Sequence, residues 1–186
     1  LGNIRNFTYD KIGRRLTAED LHVSGDAFFG AYTFAYDPAG NLVQKQTPNG
    51  GTITYTYDKL NRPLTENFSG TSGVEVTNTY DACFKGKLCT TANDAVLGSY
   101  EYDLAGNQKT ETKTISSVPY ATAYTYDLAG ALTSITNPNG AKTIYAYNLG
   151  GKPETVSWQA NGAQNVTPVI TNIDYAATGA EVRRQQ

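Results

Sequence analysis

Residues 124–130 read Tyr-Thr-Tyr-Asp-Leu-Ala-Gly, and variants of this stretch recur along the chain. The first three residues alternate aromatic and β-branched side chains, which predicts a β-strand with both rings on one face. The Asp that follows can accept hydrogen bonds from backbone amides two residues further on. The Gly tolerates a positive φ, as a tight turn requires. The stretch therefore predicts a strand that ends in a turn.

The recurrence is regular enough to decide the fold. The second aromatic residue of each copy lies at Tyr9, Tyr36, Tyr57, Tyr80, Tyr102, Tyr126, Tyr147 and Tyr175. In six copies an Asp follows, at Asp10, Asp37, Asp58, Asp81, Asp103 and Asp127. The turn glycines lie at Gly13, Gly40, Gly106, Gly130, Gly151 and Gly179, with Asn61 at this place in the third copy. The tyrosines are 21 to 28 residues apart, so we interpret residues 1–186 as an array of about seven repeats.

A second strand and a second turn complete each repeat. The second turn carries Asn-Gly dipeptides, at 49–50, 139–140 and 161–162, which predict hairpins of a different kind from the first turn. The sequence therefore predicts an all-β fold, a repetitive antiparallel β-hairpin meander of roughly 14 to 16 strands. Because strands twist, so long a sheet is expected to spiral. Tyr57, Tyr102, Tyr126 and Tyr147 are expected to stack their rings as a ladder on one face.

The composition excludes several classes of protein. Lys and Arg number 15 against 17 Asp and Glu, whereas a nucleic-acid-binding domain usually has a strongly basic face. No apolar run approaches the ~20 residues that cross a bilayer. The 14 Tyr and 6 Phe argue against disorder, and 18 Gly and 7 Pro spread along the chain exclude long helices. We therefore expect neither nucleic-acid binding nor membrane insertion.

The Tyr-Asp turns resemble the YD repeat of RHS (rearrangement hotspot) proteins. The similarity is strongest at residues 37–42, Asp-Pro-Ala-Gly-Asn-Leu, and at residues 103–107, Asp-Leu-Ala-Gly-Asn. Residues 80–88 resemble a longer variant of the motif that is common in bacterial members. The resemblance implies a β-ribbon that spirals into a hollow shell, of which this chain would be a segment. In RHS toxins and in the BC components of Tc toxins such a shell encloses a toxin, and in teneurins a similar shell belongs to an adhesion receptor.

The two cysteines are a candidate covalent feature. Cys83 and Cys89 flank the atypical turn at residues 84–88. A disulfide that closes this turn would fit an exported protein, whereas free buried thiols are the alternative. Two cysteines and a single histidine do not suffice for a zinc site, so we expect no metal.

Other candidate sites have simple structural interpretations. His22 lies near Asp20 and Ser24, but no recognised nucleophile motif surrounds it, and we interpret it as a solvated loop residue. The turn carboxylates could suggest calcium, yet each turn offers only one, which favours turn capping. The tyrosine stripe could bind carbohydrate, although a packing role is the preferred interpretation. We therefore predict no catalytic residue, no cofactor and no enzyme activity.

These expectations lead to a structural function. Because the chain contains no methionine, we expect residues 1–186 to be an internal piece of a longer polypeptide. We expect a segment of a YD-repeat shell in a large exported protein, extracellular or at the cell surface, that encloses or displays a toxin or other cargo. Its partners would be further YD repeats of the same chain or neighbouring copies, and the enclosed domain. The alternative is an extracellular adhesin or a self-assembling filament that binds glycans or protein partners.

Overall fold

The computed structural model describes residues 5–20, 25, 26 and 29–185, and these residues form strands and turns. In chain order the strands are β1 (Phe7–Tyr9), β2 (Arg15–Asp20), β3 (Gly30–Tyr36), β4 (Leu42–Gln46), β5 (Thr52–Tyr57), β6 (Pro63–Phe68), β7 (Val76–Tyr80), β8 (Leu88–Ala92), β9 (Val96–Tyr102), β10 (Gln108–Ile115), β11 (Val118–Tyr126), β12 (Leu132–Thr136), β13 (Lys142–Tyr147), β14 (Pro153–Gln159), β15 (Thr167–Ile170), β16 (Asn172–Tyr175) and β17 (Glu181–Gln185).

The topology is a meander without crossovers. Strands β1 to β15 follow one another in a 15-stranded sheet in which each strand is hydrogen-bonded to its neighbours in sequence, and β16 and β17 form a two-stranded sheet. The strand pairs with a defined register are antiparallel. The predicted all-β antiparallel hairpin meander is therefore confirmed.

The chain divides into two compact units, Leu1–Thr79 with Thr91–Ala95, and Tyr80–Thr90 with Val96–Gln186. In the first unit, β1 to β7 pair in sequence order, and Phe34, Lys45, Ile53 and Phe68 lie opposite one another across β3 to β6. In the second unit, the β10–β11 hairpin has the longest strands, of 8 and 9 residues.

The two faces of the sheet differ in chemistry. In β5 the tyrosines are half-buried, whereas Thr54 and Thr56 are exposed, so the predicted alternation is present. The threonines of the opposite face hydrogen-bond across strands, as between the Oγ1 atoms of Thr56 and Thr65 at 2.5 Å.

Little of the protein is shielded from water. Among the described residues the buried apolar side chains are Cys89, Ala141 and Ile173, and Ser134 is the buried polar one. A repeat protein with so thin a core depends on strand pairing and on contacts between neighbouring repeats for its stability.

The Asn-Gly turns at 49–50 and 139–140 have the same backbone geometry as the Tyr-Asp turns, so the expected difference is not found there, whereas at 161–162 the amide of Ala163 donates to the carbonyl of Ala160 and Gly162 lies one place earlier in its turn. The amide of Gly50 donates to the carbonyl of Thr47 at 3.0 Å, and the amide of Thr47 donates to the carbonyl of Gly51 at 2.7 Å. Asp127, Gly130 and Ala131 repeat this pattern at 2.9–3.0 Å. Both are type I turns followed by one residue in the left-handed region, which produces a bulge.

Candidate functional site: the tyrosine–aspartate turns

Each Tyr-Asp turn is closed by its own aspartate. In the turn that follows β11, Oδ1 of Asp127 accepts hydrogen bonds from the amides of Ala129 and Ala131, at 2.9 and 2.8 Å. Equivalent pairs of bonds form at Asp10 and Asp58. Asn148 makes the same bonds through its amide oxygen, so the turn requires the oxygen atom rather than the negative charge.

The second carboxylate oxygen binds the side chain four residues later. At Asp10 and Asp58 that residue is Arg14 or Arg62, each with Nε 2.7 Å from the Asp Oδ2. At Asp37 and Asp103 it is an asparagine, as in Asn107, whose Nδ2 donates to Asp103 at 3.0 Å, and at Asp127 it is Ala131, which has no side-chain donor. The side chain that follows the left-handed residue therefore completes these turns.

These bonds favour the charged form of the carboxylate. The Asn107 side chain and amide hold the pKa of Asp103 below its ordinary value of 3.8, although partial burial opposes the shift. The Asn41 side chain lowers the pKa of Asp37 in the same way. The turn carboxylates are thus occupied by their own turns, which agrees with turn capping and leaves little capacity for calcium.

The left-handed residue of each turn lies where the spacing predicts it. Gly13, Gly40, Gly106, Gly130, Gly151 and Gly179 all have φ between 73° and 94°. Asn61 holds the same place with φ of 60°.

In six repeats the second tyrosine links neighbouring repeats. Its hydroxyl donates to a backbone carbonyl in a strand of the preceding repeat, at 2.7–3.0 Å. The pairs are Tyr36 to Arg15, Tyr57 to Leu42, Tyr102 to Leu88, Tyr126 to Gln108, Tyr147 to Leu132 and Tyr175 to Pro153.

The hydroxyl supplies a hydrogen bond to a backbone carbonyl that lies beyond the end of the strand pairing. Between β4 and β5 the pairing ends at Gln44 and Thr54, two residues before Leu42. The Tyr57 hydroxyl then satisfies the Leu42 carbonyl, 2.9 Å away. An unmet backbone carbonyl is costly where water is excluded, so each such bond contributes about 0.5–1.5 kcal/mol. The tyrosines were expected to contact one another by stacking their rings. In the structure, each of these tyrosines instead contacts the preceding repeat through a hydrogen bond from its hydroxyl to a backbone carbonyl.

Sequence reasoning missed this bond, although a signal was available. The first aromatic position varies between Phe34, Tyr55 and Asn78, for example, whereas the second position is tyrosine in all eight copies. Phenylalanine would serve equally well if only the ring mattered, so the constant tyrosine indicates a use for the hydroxyl.

The fourth turn departs from the others. Cys83 and Cys89 are joined by a disulfide, with Cα atoms 5.5 Å apart. Asp81 has φ of 69°, and its Oδ1 accepts from the amide of Gly86 at 2.6 Å. The ring of Phe84 reaches Tyr102, with centroids 6.1 Å apart. The longer loop is thus folded back onto the next repeat.

The turn tips carry exposed apolar side chains. Leu104, Leu128 and Leu149 each follow the turn's Asp or Asn directly, and their exposed fractions are 102%, 109% and 111%. An open groove of about 670 Å³ lies between the Leu104 and Leu128 turns. These side chains receive no cover from their own unit.

The first unit contains an open cleft with aromatic walls. The cleft, of about 280 Å³, is lined by Phe7, Tyr32 and Phe34 and by several charged residues. The guanidinium of Arg15 lies 5.0 Å from the centre of the Phe7 ring, and Lys45 Nζ lies 5.2 Å from that of Tyr32. Such an arrangement can present cations beside a flat ligand surface.

The remaining sequence candidates are His22 and its neighbours Asp20 and Ser24. His22 and Ser24 lie outside the described residues, and Asp20 is 3.4 Å from Arg5. In the described part of the chain, no cluster of three or more His, Cys, Asp or Glu could hold a metal ion. Among the same residues, no helix has the length and apolarity to span a membrane.

A family model for the RHS repeat matches residues 36–72 and 126–159, which contain the Tyr-Asp turns at Asp37, Asp58 and Asp127 and the Tyr-Asn turn at Asn148. The chain carries RHS repeats. The resemblance read from the Tyr-Asp motif is therefore confirmed.

Solved structures share the fold of these RHS repeats. The crystal structure of TcdB2-TccC3 matches 97% of this chain with a TM-score of 0.81 at 18% identity, and TcdB2-TccC3-Cdc42 matches 97% with a TM-score of 0.79 at 18%. A Tc holotoxin pore from Photorhabdus luminescens with a mutation in TccC3 matches 98% with a TM-score of 0.66 at 16%. This chain spans only 10% or 11% of the length of those chains. A search of curated proteins found no significant match.

Proposed function

We propose that this chain is a non-enzymatic wall segment of a larger RHS-repeat protein that encloses a cargo, such as a toxin domain. The observation that carries the proposal is the turn-and-hydroxyl module, which fixes each repeat to the one before it. Such a module builds a continuous sheet of any length from local contacts. The match of 97% of the chain to TcdB2-TccC3 supports a wall of this type.

The domain organisation follows from the same proposal. Residues 1–186 form one array of about seven repeats, internal to a longer chain in which further RHS repeats are the immediate partners. Solved structures of this fold that are about ten times longer support this organisation. The side chains of the repeats serve to build the wall, and neither nucleic acid nor a bilayer is a partner.

The proposed location is extracellular or at the cell surface. The disulfide between Cys83 and Cys89 supports export, because such bonds persist mainly in oxidising compartments.

Limited proteolysis of the native parent chain tests enclosure. The parent is digested under native conditions, and the products are weighed by intact-mass spectrometry. We expect a resistant repeat array that keeps a smaller, unrelated fragment intact. The same digest in denaturant is the control, and there the fragment is expected to disappear.

Two results would contradict the proposal. A parent chain composed of repeats alone would contain no cargo domain to enclose. A cargo fragment digested as fast natively as in denaturant would show that the wall encloses nothing.

A second candidate function is ligand binding by an adhesin, and the cleft beside Phe7, Tyr32 and Phe34 favours it. Aromatic walls suit the flat face of a sugar, and Arg15 and Lys45 suit an acidic one. Titration calorimetry with acidic oligosaccharides tests this candidate. Binding that is lost in Arg15→Gln/Lys45→Gln and kept in the control Lys59→Gln would support it, and no heat with the unaltered chain would reject it.

A further inference from the structure

The Asn-Gly dipeptide at 161–162 lies in a different type of turn from the other two. The amide of Ala163 donates to the carbonyl of Ala160 at 3.1 Å, so Asn161 and Gly162 are the two central residues. Of these two, only the glycine has a positive φ, of 70°, as in a type II turn. Because Ala163 provides the closing amide, the amide of Gly162 has no hydrogen-bond acceptor within the described part of the chain.

In the other two Asn-Gly turns, the glycine amide is itself the closing donor. The amide of Gly50 donates to the carbonyl of Thr47 at 3.0 Å, and the amide of Gly140 donates to the carbonyl of Asn137 at 2.8 Å. The same dipeptide therefore stands one position later in these turns than it does at 161–162. As a result, the glycine nitrogen is held by the turn at two sites and is not held at the third.

The asparagine side chains differ in the same way. Oδ1 of Asn49 accepts a hydrogen bond from the amide of Gly51 at 3.3 Å, and Oδ1 of Asn139 accepts one from the amide of Ala141 at 3.0 Å. The side chain of Asn161 makes no hydrogen bond with any residue that the structure describes. All three asparagines are exposed, so access to water does not distinguish them, whereas hydrogen bonding does.

An Asn-Gly dipeptide is open to spontaneous ring closure, because glycine has no side chain to obstruct the approach of its own amide nitrogen. The nitrogen loses its proton to hydroxide and bonds to Cγ of the asparagine, while the bond from Cγ to Nδ2 breaks and ammonia leaves. Water then opens the succinimide at either carbonyl, which gives aspartate or isoaspartate. A glycine amide that donates a hydrogen bond must first break it, and an Oδ1 atom held by the turn must first be released.

We infer that Asn161 is a site of spontaneous deamidation, and that the turns at 49–50 and 139–140 protect Asn49 and Asn139 from the same reaction. One hydrogen bond of ordinary net strength that must be broken slows a reaction by about fivefold. Each protected turn must break two such bonds, so we expect deamidation at Asn161 to be faster by roughly tenfold or more. The inference goes beyond the proposed wall function, because it requires neither a cargo nor further repeats.

The product would alter a contact between two turns of the second unit. Asn161 lies so close to Gly140 that a Cβ atom at this glycine would collide with the asparagine side chain. Deamidation places a negative charge at this contact, and isoaspartate adds one carbon atom to the backbone between β14 and β15. Nε2 of Gln159 donates to the carbonyl of Ala163 at 2.8 Å across the same turn. We therefore expect the modification to weaken the pairing of β15 with β14.

Peptide mapping by mass spectrometry tests the inference on the whole chain with its disulfide intact. The chain is incubated at 37 °C and pH 7.4, and aspartate and isoaspartate are quantified at each of the three dipeptides over time. We expect Asn161 to be converted at least tenfold faster than Asn49 and Asn139. Hydrogen exchange should show faster exchange of the β15 amides in the modified fraction, and Asn161→Gln should abolish both changes, because glutamine closes a ring far more slowly.

The same chain in 8 M urea is the matched control, because urea removes the turns and leaves the sequence unchanged. There we expect the three dipeptides to react at rates within threefold of one another. Two outcomes would overturn the inference: conversion of Asn161 that is no faster than that of the other two in the native chain, or a native difference in rate that persists in urea. The second outcome would assign the difference to the neighbouring residues in sequence.

Discussion

At the scale of single residues, a tyrosine hydroxyl and an aspartate carboxylate perform the two tasks that define the repeat. The carboxylate closes a turn within one repeat, and the hydroxyl satisfies a carbonyl of the repeat before it. The aspartate's task could be predicted from sequence because its partners are two to four residues away. The hydroxyl's partner could not, because it depends on where pairing between two strands ends.

Replacing Tyr126 by Phe tests the hydroxyl. Tyr126→Phe keeps the ring but leaves the Gln108 carbonyl without its donor, 2.9 Å away in the unaltered protein. We expect the free energy of unfolding to fall by about 1 kcal/mol. Urea denaturation measures the change.

Tyr120→Phe in the same strand is the control. Its side chain is 46% exposed, and its hydroxyl has no hydrogen-bond partner among the described residues. A loss as large in this control as in Tyr126→Phe would contradict the assigned role.

Because the turn carboxylates accept hydrogen bonds in their charged form, we expect the free energy of unfolding to fall in acid. The folded pKa of Asp103 is below its ordinary 3.8, chiefly because the Asn107 side chain donates to the carboxylate. A lowered folded pKa contributes stability that is present above about pH 4 and is lost as the pH falls through the folded value. Asp103→Asn keeps the oxygen, as Asn148 does naturally, and cannot titrate.

We therefore expect Asp103→Asn to have a shallower decline of unfolding free energy between pH 5 and 2 than the unaltered chain. Denaturant titrations across that range measure the decline. Asp103→Ala, which removes the oxygen, should be less stable than both at pH 7. Parallel pH profiles for Asp103→Asn and the unaltered chain would refute the assignment.

At the scale of elements, one type of turn connects most of the paired strands, and the turn between β10 and β11 is of a different type. Most turns place a single glycine in the left-handed region, but the β10–β11 turn places Ser116 and Ser117 there, with φ of 48° and 65°. Ile115 pairs directly with Val118 around them. This is the two-residue turn for which Asn-Gly is favoured, although the Asn-Gly dipeptides of this chain lie elsewhere.

Ser116→Asn/Ser117→Gly should therefore stabilise the protein. Serine in the left-handed region is strained by roughly 1–2 kcal/mol, which glycine avoids, so we expect a gain of about 1 kcal/mol in the free energy of unfolding. Ser116→Ala/Ser117→Ala is the control and should give no gain, because alanine has the same restriction. Thermal melts with calorimetry provide the comparison.

The strands themselves could be predicted from the aromatic alternation, and the turn glycines from their fixed distance to tyrosine. The type of the Asn-Gly turns could not. A glycine with positive φ fits either a two-residue turn or a type I turn with a bulge, and Gly50 adopts the second. The choice depends on the register of both strands, which the dipeptide alone does not determine.

At the scale of the whole molecule, the protein keeps much apolar surface in contact with water. Its accessible surface is 12,260 Å², against about 8,700 Å² expected of a compact monomer of this mass. The meander and its family could be predicted because the pattern repeats eight times. The full exposure of Leu104, Leu128 and Leu149 escaped prediction, because sequence alone does not show whether a turn leucine is covered.

The prediction at this scale concerns the heat-capacity change of unfolding, which differential scanning calorimetry measures. An ordinary protein of 186 residues has a heat-capacity change of unfolding of about 2.2–2.8 kcal/mol/K. We expect a value below about 2 kcal/mol/K here, since unfolding exposes less new apolar surface. A value within the ordinary range would show that the native chain covers its apolar faces in solution.

The tyrosine bond also has a direction. Each hydroxyl reaches back to a carbonyl nearer the amino terminus, as from Tyr147 to Leu132, and in the six pairs seen here none reaches forward. On the ribosome, where the amino-terminal part emerges first, every new repeat meets an acceptor that has already been synthesised. The wall can therefore be extended one repeat at a time during translation, with each new tyrosine completing the backbone hydrogen bonding of the repeat before it.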